Sequence, residues 1–229
     1  MTAITALTAQ NTVGVDLIEP VSPEMILAQI RAVADDIGID AIKIGMLGDR
    51  PAIEAVATGL DLVGRVPIVL DPVMVSESGA NLLAPDARQA LVSRILPRAT
   101  VATPNIPEAR VITGLEDATQ EELARGVLAL GAGAAVITGG HSRRMVDLFV
   151  DGRQMVEIEG EIHAGRSAHG SGCTHSSVLA AMLAWGHEPL EAARLARVCA
   201  SRAVAGSLDS VGSGPGPVDV IGLERPADG

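Results

Sequence analysis

Short apolar runs alternate along the chain with longer stretches whose apolar residues recur every three or four positions. Met1 to Ala9 is uncharged and reads as a buried strand that ends in the polar tip Gln10-Asn11-Thr12. Ser22-Pro23-Glu24 opens a helix running to about Asp36, with Ser at the N-cap and an acid in the first turn. Met25, Ile26, Ile30 and Val33 are spaced for one buried face of it. Further strands are predicted at Ala41–Met46, Pro67–Leu70, Thr100–Ala102 and Ala134–Ile137. Helices are predicted at Arg50–Val63, at Pro85–Leu96, from Pro107-Glu108, and from Thr119 to Leu130.

Strand and helix therefore alternate from Thr2 to His141. Such alternation builds right-handed βαβ units and a mostly parallel sheet with helices on both faces. In an open α/β sheet, ligands bind outside the carboxyl ends of the strands. Gln10, Met46, Asp71, Asn105 and Thr138 all fall at such ends. That coincidence locates a site without naming a reaction.

From Val146 the period changes. Asp147–Val150, the turn Asp151-Gly152 and Gln154–Ile158 read as a hairpin. Ser171–Trp185 and Pro189–Ala205 read as two alanine-rich helices that can pack closely, and the tail from Ser210 reads as loop. No repeat and no composition shift divides the chain, so residues 1–229 are expected to form one domain.

Composition narrows the function. The 229 residues carry a net charge of −11 and hold one Phe, one Trp and no Tyr. Phosphate backbones need Lys and Arg, and single strands need stacking rings, so nucleic acid is excluded as a partner. The N-terminal stretch is too polar and too short to cross a membrane, and no signal peptide is visible. Cys173 and Cys199 form no metal or disulfide pattern, which suits a reducing cytoplasm.

The chemistry concentrates at His169–Trp185. Gly170, Ser171, Gly172 and Cys173 make a glycine-rich turn that opens directly into an apolar helix. A helix start leaves its first N–H groups unpaired and carries partial positive charge, so the turn offers an anion cradle. A thiol placed there is expected to have its pKa lowered by the helix dipole. The same residues also read as a plain loop-to-helix turn around a small cysteine. Gln10 carries both a donor and an acceptor, and could read a ligand's amide-like edge or satisfy its own loop. Asn105 and Glu108 suit a Mg²⁺ ion, which keeps most of its waters, and equally suit a helix cap with a first-turn acid. Met46 and Val73 read as ordinary core from the residues alone.

Seven stretches, ITALTAQNT, KIGML, VLDPVM, TPNIPEA, TGGH, HGSGCT and GSGPGPV, occur in one order across almost the whole chain. In this they resemble the hydroxymethylpyrimidine/phosphomethylpyrimidine kinases of thiamine biosynthesis, in the ribokinase-like superfamily. The resemblance implies a three-layer α/β fold and phosphorylation, by ATP with Mg²⁺, of an aminopyrimidine alcohol and its monophosphate. It implies that Gln10, Met46 and Val73 bind the pyrimidine. Asn105 and Glu108 would hold Mg²⁺, and Asn105, Thr138, Gly139, Gly140 and Gly172 would contact ATP. Gly170, Ser171, Gly172 and Cys173 would form the anion hole. Cys173, where most of the superfamily has Asp, would act as the base. A cytoplasmic homodimer is implied as well.

The chain departs from the family pattern in three places. The strand, glycine-rich loop and helix that precede ITAL in the family are missing, and an upstream start codon is the expectation. Thr138 stands where Lys usually precedes Gly-Gly-His, and Arg143 or Arg144 is available to replace that charge; Arg166 is available for the lysine of the run before the glycine-rich turn. The run AGRSAHGSGCT stands where TKNTHGTGCT is usual. Two competing readings follow. One is a pyridoxal-type vitamin kinase of the same superfamily. The other is a non-catalytic pyrimidine- or nucleotide-binding relative.

Overall fold

The computed structural model describes residues 1–75, 82–84, 86–139, 146–163 and 167–222. The chain opens with an antiparallel hairpin, β1 (Ala6–Gln10) and β2 (Val15–Pro20). It continues through α1 (Pro23–Asp36), β3 (Ile42–Ile44), α2 (Arg50–Leu62) and β4 (Ile68–Leu70). Then come α3 (Ala87–Ala90), β5 (Val101–Ala102), α4 (Ile106–Thr113), α5 (Gln120–Ala129) and β6 (Ala134–Ile137). β7 (Asp147–Asp151), β8 (Met155–Ile158), α6 (Ser171–Ala184) and α7 (Pro189–Ala205) complete it.

β3 to β8 form one six-stranded sheet in sequence order. β3, β4, β5 and β6 run parallel, whereas β7 and β8 extend the sheet antiparallel. Alternation along each strand sends residues to opposite faces. Leu70, Ala102, Ala135 and Ile137 pack with α1 to α5. Val69, Val101, Ala134, Val136 and Phe149 pack with α6 and α7. Both faces are thus covered, which makes the three-layer α/β arrangement predicted from the alternation. Phe149 is fully buried between the sheet and the α6–α7 layer. Phe149→Ala is expected to cost about 3–5 kcal/mol, read by urea unfolding.

Local chemistry sets the helix starts. Ser22 Oγ accepts from Met25 N–H at 3.3 Å and Asp49 Oδ1 from Ala52 N–H at 2.9 Å. Thr119 and Glu122 form a reciprocal capping box at the start of α5.

The structure corrects the predicted first strand. Met1–Ala9 is not a buried strand of the parallel sheet. Only Ala6–Gln10 is extended, it is largely exposed, and among the described residues it pairs solely with β2, a strand the sequence pattern missed. The reason is a turn at Asn11. Its side chain accepts from Val13 N–H at 2.8 Å and Gly14 N–H at 3.0 Å, and its own N–H donates to Gly14 O at 3.0 Å. That Asx-type turn reverses the chain at once and forbids a crossover. Asp16, Glu19 and Pro20 disguise β2, because a free two-stranded ribbon buries neither face.

The helix predicted at Pro85–Leu96 is also shorter. α3 passes into a π turn at Leu91–Ile95 and a 3₁₀ turn at Leu96–Arg98. Pro97 has no N–H for the carbonyl of Ser93, so a regular helix cannot continue there.

Candidate functional site

The carboxyl ends of the parallel strands converge on the start of α6. The loop after β4 brings Asp71, with Val73 and Met74 following. Asn105 caps α4 just beyond β5, and Thr138 follows β6 and bridges to Asn105. Met46 lies beyond β3, where its carbonyl accepts from Thr5 Oγ1 at 2.8 Å. Met46 and Val73 are half-buried, as a pocket wall requires. Gln10 differs: it is exposed at the end of the separate hairpin, after a register shift, and among the described residues it shares no hydrogen bond with the other site residues. The hairpin reaches the site at its two ends instead. Thr5 meets Met46 at one, and Thr12 Oγ1 accepts from Gly214 N–H at 3.1 Å at the other.

The glycine-rich turn has the geometry of an anion cradle. Gly170 caps α6 with φ 88°, a left-handed conformation that favours glycine. Ser171 N–H donates to Ala168 O at 2.9 Å. The next two N–H groups, of Gly172 and Cys173, have no acceptor among the described residues. A Cβ on Gly172 would meet nothing within 4 Å, so the approach to these donors is open. The tail straps the turn from outside, with Val218 N–H on His169 O at 3.0 Å. Gly170→Ala is expected to lose about 1–2 kcal/mol from left-handed strain, read by urea unfolding, and to misplace these donors.

A charged cluster lies beneath the turn. Lys43, the only lysine in the chain, places Nζ 3.2 Å from Asp71 Oδ2. Ser176 of α6 donates its hydroxyl to the same oxygen at 2.9 Å. A Cβ on Gly45 would meet Lys43 Nζ at 2.6 Å, so glycine there leaves room for the ammonium. The sequence pattern places Asp71 at a strand end but assigns no chemistry to it, to Lys43 or to Ser176. A lone lysine in an apolar strand, followed by glycine, was the available signal.

The Cys173 thiol pKa is raised, against the low value expected from the helix start. Loss of hydration by the surrounding protein pushes the Cys173 thiol up. Lys43 opposes the shift, while Asp71, by charge and hydrogen bond, and Glu108 add to it. Lost hydration and the two carboxylates outweigh Lys43.

Asn105 and Glu108 form a reciprocal capping box. Asn105 Oδ1 accepts from Glu108 N–H at 2.8 Å, and Glu108 Oε2 accepts from Asn105 N–H at 2.9 Å. Glu108 is nonetheless more than a cap. Its pKa is pushed up to about 7, first by burial and further by the charge of Asp71, against hydrogen bonds from the Asn105 and Met74 backbones. A half-buried carboxyl under the charge of a second one is a place where a cation relieves repulsion. Among the described residues, no cluster of three or more His, Cys, Asp or Glu is arranged for a metal. Mg²⁺, which takes one or two protein oxygens and keeps its waters, fits this sparse set.

Thr138 N–H donates to Pro104 O at 3.0 Å, and Gly139 N–H donates to Asp147 Oδ1 at 2.8 Å. Gly140, Arg143, Arg144 and Arg166 lie outside the described residues. Among the described residues, no helix is long and apolar enough to cross a membrane.

Parallel-strand ends around open helix-start amides, with a thiol and a half-buried carboxyl beside them, suit a phosphotransferase of the ribokinase-like fold. Comparison with known proteins agrees. The family model for phosphomethylpyrimidine kinase matches residues 1–219. A hydroxymethylpyrimidine/phosphomethylpyrimidine kinase from Rhizobium meliloti is 43% identical over 222 residues, covering 94% of this chain and 83% of that one. The crystal structure of phosphomethylpyrimidine kinase from Clostridium difficile superposes with a TM-score of 0.76 at 36% identity, covering 86% of this chain and 83% of that one. An ADP complex of Bacillus subtilis pyridoxal kinase gives a TM-score of 0.85 at 34% identity, covering 96% of this chain and 85% of that one. The chain belongs to the phosphomethylpyrimidine kinase family.

Proposed function

We propose that the protein transfers the γ-phosphoryl group of ATP to the hydroxymethyl group of 4-amino-5-hydroxymethyl-2-methylpyrimidine and then to the resulting monophosphate. The observation that carries the reading is the open pair of N–H groups at Gly172 and Cys173, set beside a thiol that feels the charge of Glu108. Phosphoryl transfer asks chiefly for positioning and charge stabilisation, and this geometry offers both.

In this reading Gly170, Ser171, Gly172 and Cys173 cradle the transferring phosphoryl group. Cys173 takes the proton of the substrate hydroxyl as its oxygen attacks. The thiol's raised pKa makes that step favour alkaline pH in the free enzyme. Met46 and Val73 pack against the ring. Gln10 reads its polar edge, once the hairpin is drawn over the strand ends. Asn105, Thr138, Gly139, Gly140 and Gly172 hold the nucleotide. Glu108, with Asn105, holds Mg²⁺ through waters, and the ion neutralises triphosphate charge when bound.

Likeness to a pyridoxal kinase supports a heteroaromatic alcohol without separating the two rings. The curated relatives favour the aminopyrimidine, among them a Geobacter sulfurreducens protein named thiamine biosynthesis bifunctional protein ThiED, 39% identical over 223 residues. The test is turnover on each ring type with Mg-ATP. Faster phosphorylation of the aminopyrimidine is expected, and preference for pyridoxal would overturn the assignment. The reading includes a cytoplasmic homodimer. Leu7 and Leu17, 56% and 63% exposed on the hairpin, supply apolar surface of the kind association covers.

A further inference from the structure

We infer that Asp147 and Gln120 are positioning residues that set the nucleotide loop Thr138–Gly139 from outside the active site. The inference rests on the kinase reading, in which that loop holds ATP.

Gly139 follows β6 and Val146 precedes β7, and the two are pressed together. A Cβ on Gly139 would run into the carbonyl of Val146. The ladder between β6 and β7 ends at the pair Ile137–Leu148, so Asp147 is the first residue beyond it. Its side chain takes over where the ladder stops, and Oδ1 accepts the Gly139 N–H at 2.8 Å. Gln120, the first residue of α5, closes the same gap from the other side. Its Nε2 donates to Ile137 O at 2.8 Å and to Val146 O at 3.1 Å, so one amide ties both ends together.

Burying a carboxylate is costly unless charge and hydrogen bonds answer it. Asp147 is 1% exposed. Arg197 of α7 answers its charge, with Nε 3.6 Å from Oδ2. The guanidinium lies over Gly160, where any Cβ would collide with it. His175 of α6 is fully enclosed nearby, and burial pushes its pKa down, so it stays neutral and leaves the charge balance to Arg197. An apolar side chain at position 147 would fill the space at less electrostatic cost. What the carboxylate adds is one fixed direction for the Gly139 N–H.

The test measures the Kd for ATP by calorimetry on the full chain, then KM for ATP and for the pyrimidine alcohol separately. Gln120→Ala and Asp147→Ala are each expected to weaken ATP about tenfold, the scale of one lost buried hydrogen bond. The KM for the pyrimidine should move less than about twofold, since neither residue lies on that side. Asp147→Asn keeps an oxygen for Gly139 and is expected to recover part of the loss. Gln120 is only partly buried at a helix start, so Gln120→Ala carries the test if Asp147→Ala does not fold. An unchanged Kd for ATP in Gln120→Ala, or equal rises in both KM values, overturns the inference. A wild type that binds ATP but releases no ADP overturns the kinase reading, while the Kd shifts still decide the loop.

Discussion

Replacing Cys173 with alanine is expected to lower kcat by about 10²–10⁴-fold, the range a positioned general base contributes. The Kd for ATP should change by less than about threefold. The asymmetry follows from the site. The open N–H groups of the turn belong to the backbone and survive the substitution, so the ground-state cradle remains. The thiol acts only as the hydroxyl proton leaves, so its loss appears in the transition state. Equal losses in kcat and in nucleotide affinity would assign Cys173 to packing instead. The pH profile gives an independent check. In the free enzyme the thiol is pushed up by lost hydration, with Asp71 adding to the shift and Lys43 opposing it. The rise of kcat/KM with pH should therefore lie above the ordinary cysteine range. Asp71→Asn should move it to lower pH and Lys43→Met to higher pH.

Glu108→Gln is expected to act with opposite signs on stability and on turnover. Glutamine keeps an oxygen for the Asn105 N–H, so the capping box persists. What it removes is a half-buried carboxyl whose folded pKa is about 7 against 4.5 for the free side chain. The protonated form is the one the fold prefers. Wild-type stability should therefore be full below about pH 4.5, fall as pH rises to about 7, and stay low above it. Glu108→Gln should not show this fall. At pH 8, without metal, it should be more stable than wild type by roughly 1–3 kcal/mol, read by urea unfolding. Turnover with Mg-ATP should fall, and raised Mg²⁺ should restore part of it. Loss of stability at pH 8 would show that the charge is already answered in the free protein. Lost turnover that no Mg²⁺ concentration restores would remove the metal assignment.

The sequence made the sheet legible where local and global signals agreed. Strand alternation at Val69-Leu70, Val101-Ala102 and Ala134–Ile137 matches burial on both faces. Ser22, Asp49, Asn105 and Thr119 start helices as their side-chain oxygens dictate. The hairpin β1–β2 was not legible as such. A free ribbon imposes no burial pattern, and one turn residue, Asn11, decided its topology. At the site, the order of motifs brought out the residues that belong to strand ends and to the α6 turn. It could not bring out electrostatics across long separations. Asp71 meets Lys43 and Ser176 from three elements, and lost hydration, with Asp71 adding to it and Lys43 opposing it, raises the Cys173 thiol. Asn105 and Glu108 allowed a cap or a metal site. The capping box is formed, and the half-buried carboxyl of Glu108, its pKa raised, leaves the second use open to it.

The most direct test of the central claim is ADP release by the purified protein with Mg-ATP, first on the aminopyrimidine alcohol and then on its monophosphate, with mass detection of the product. The account requires ADP release matched by a monophosphate in the first case and a diphosphate in the second. ATP binding with no phosphorylated pyrimidine in either case would contradict it.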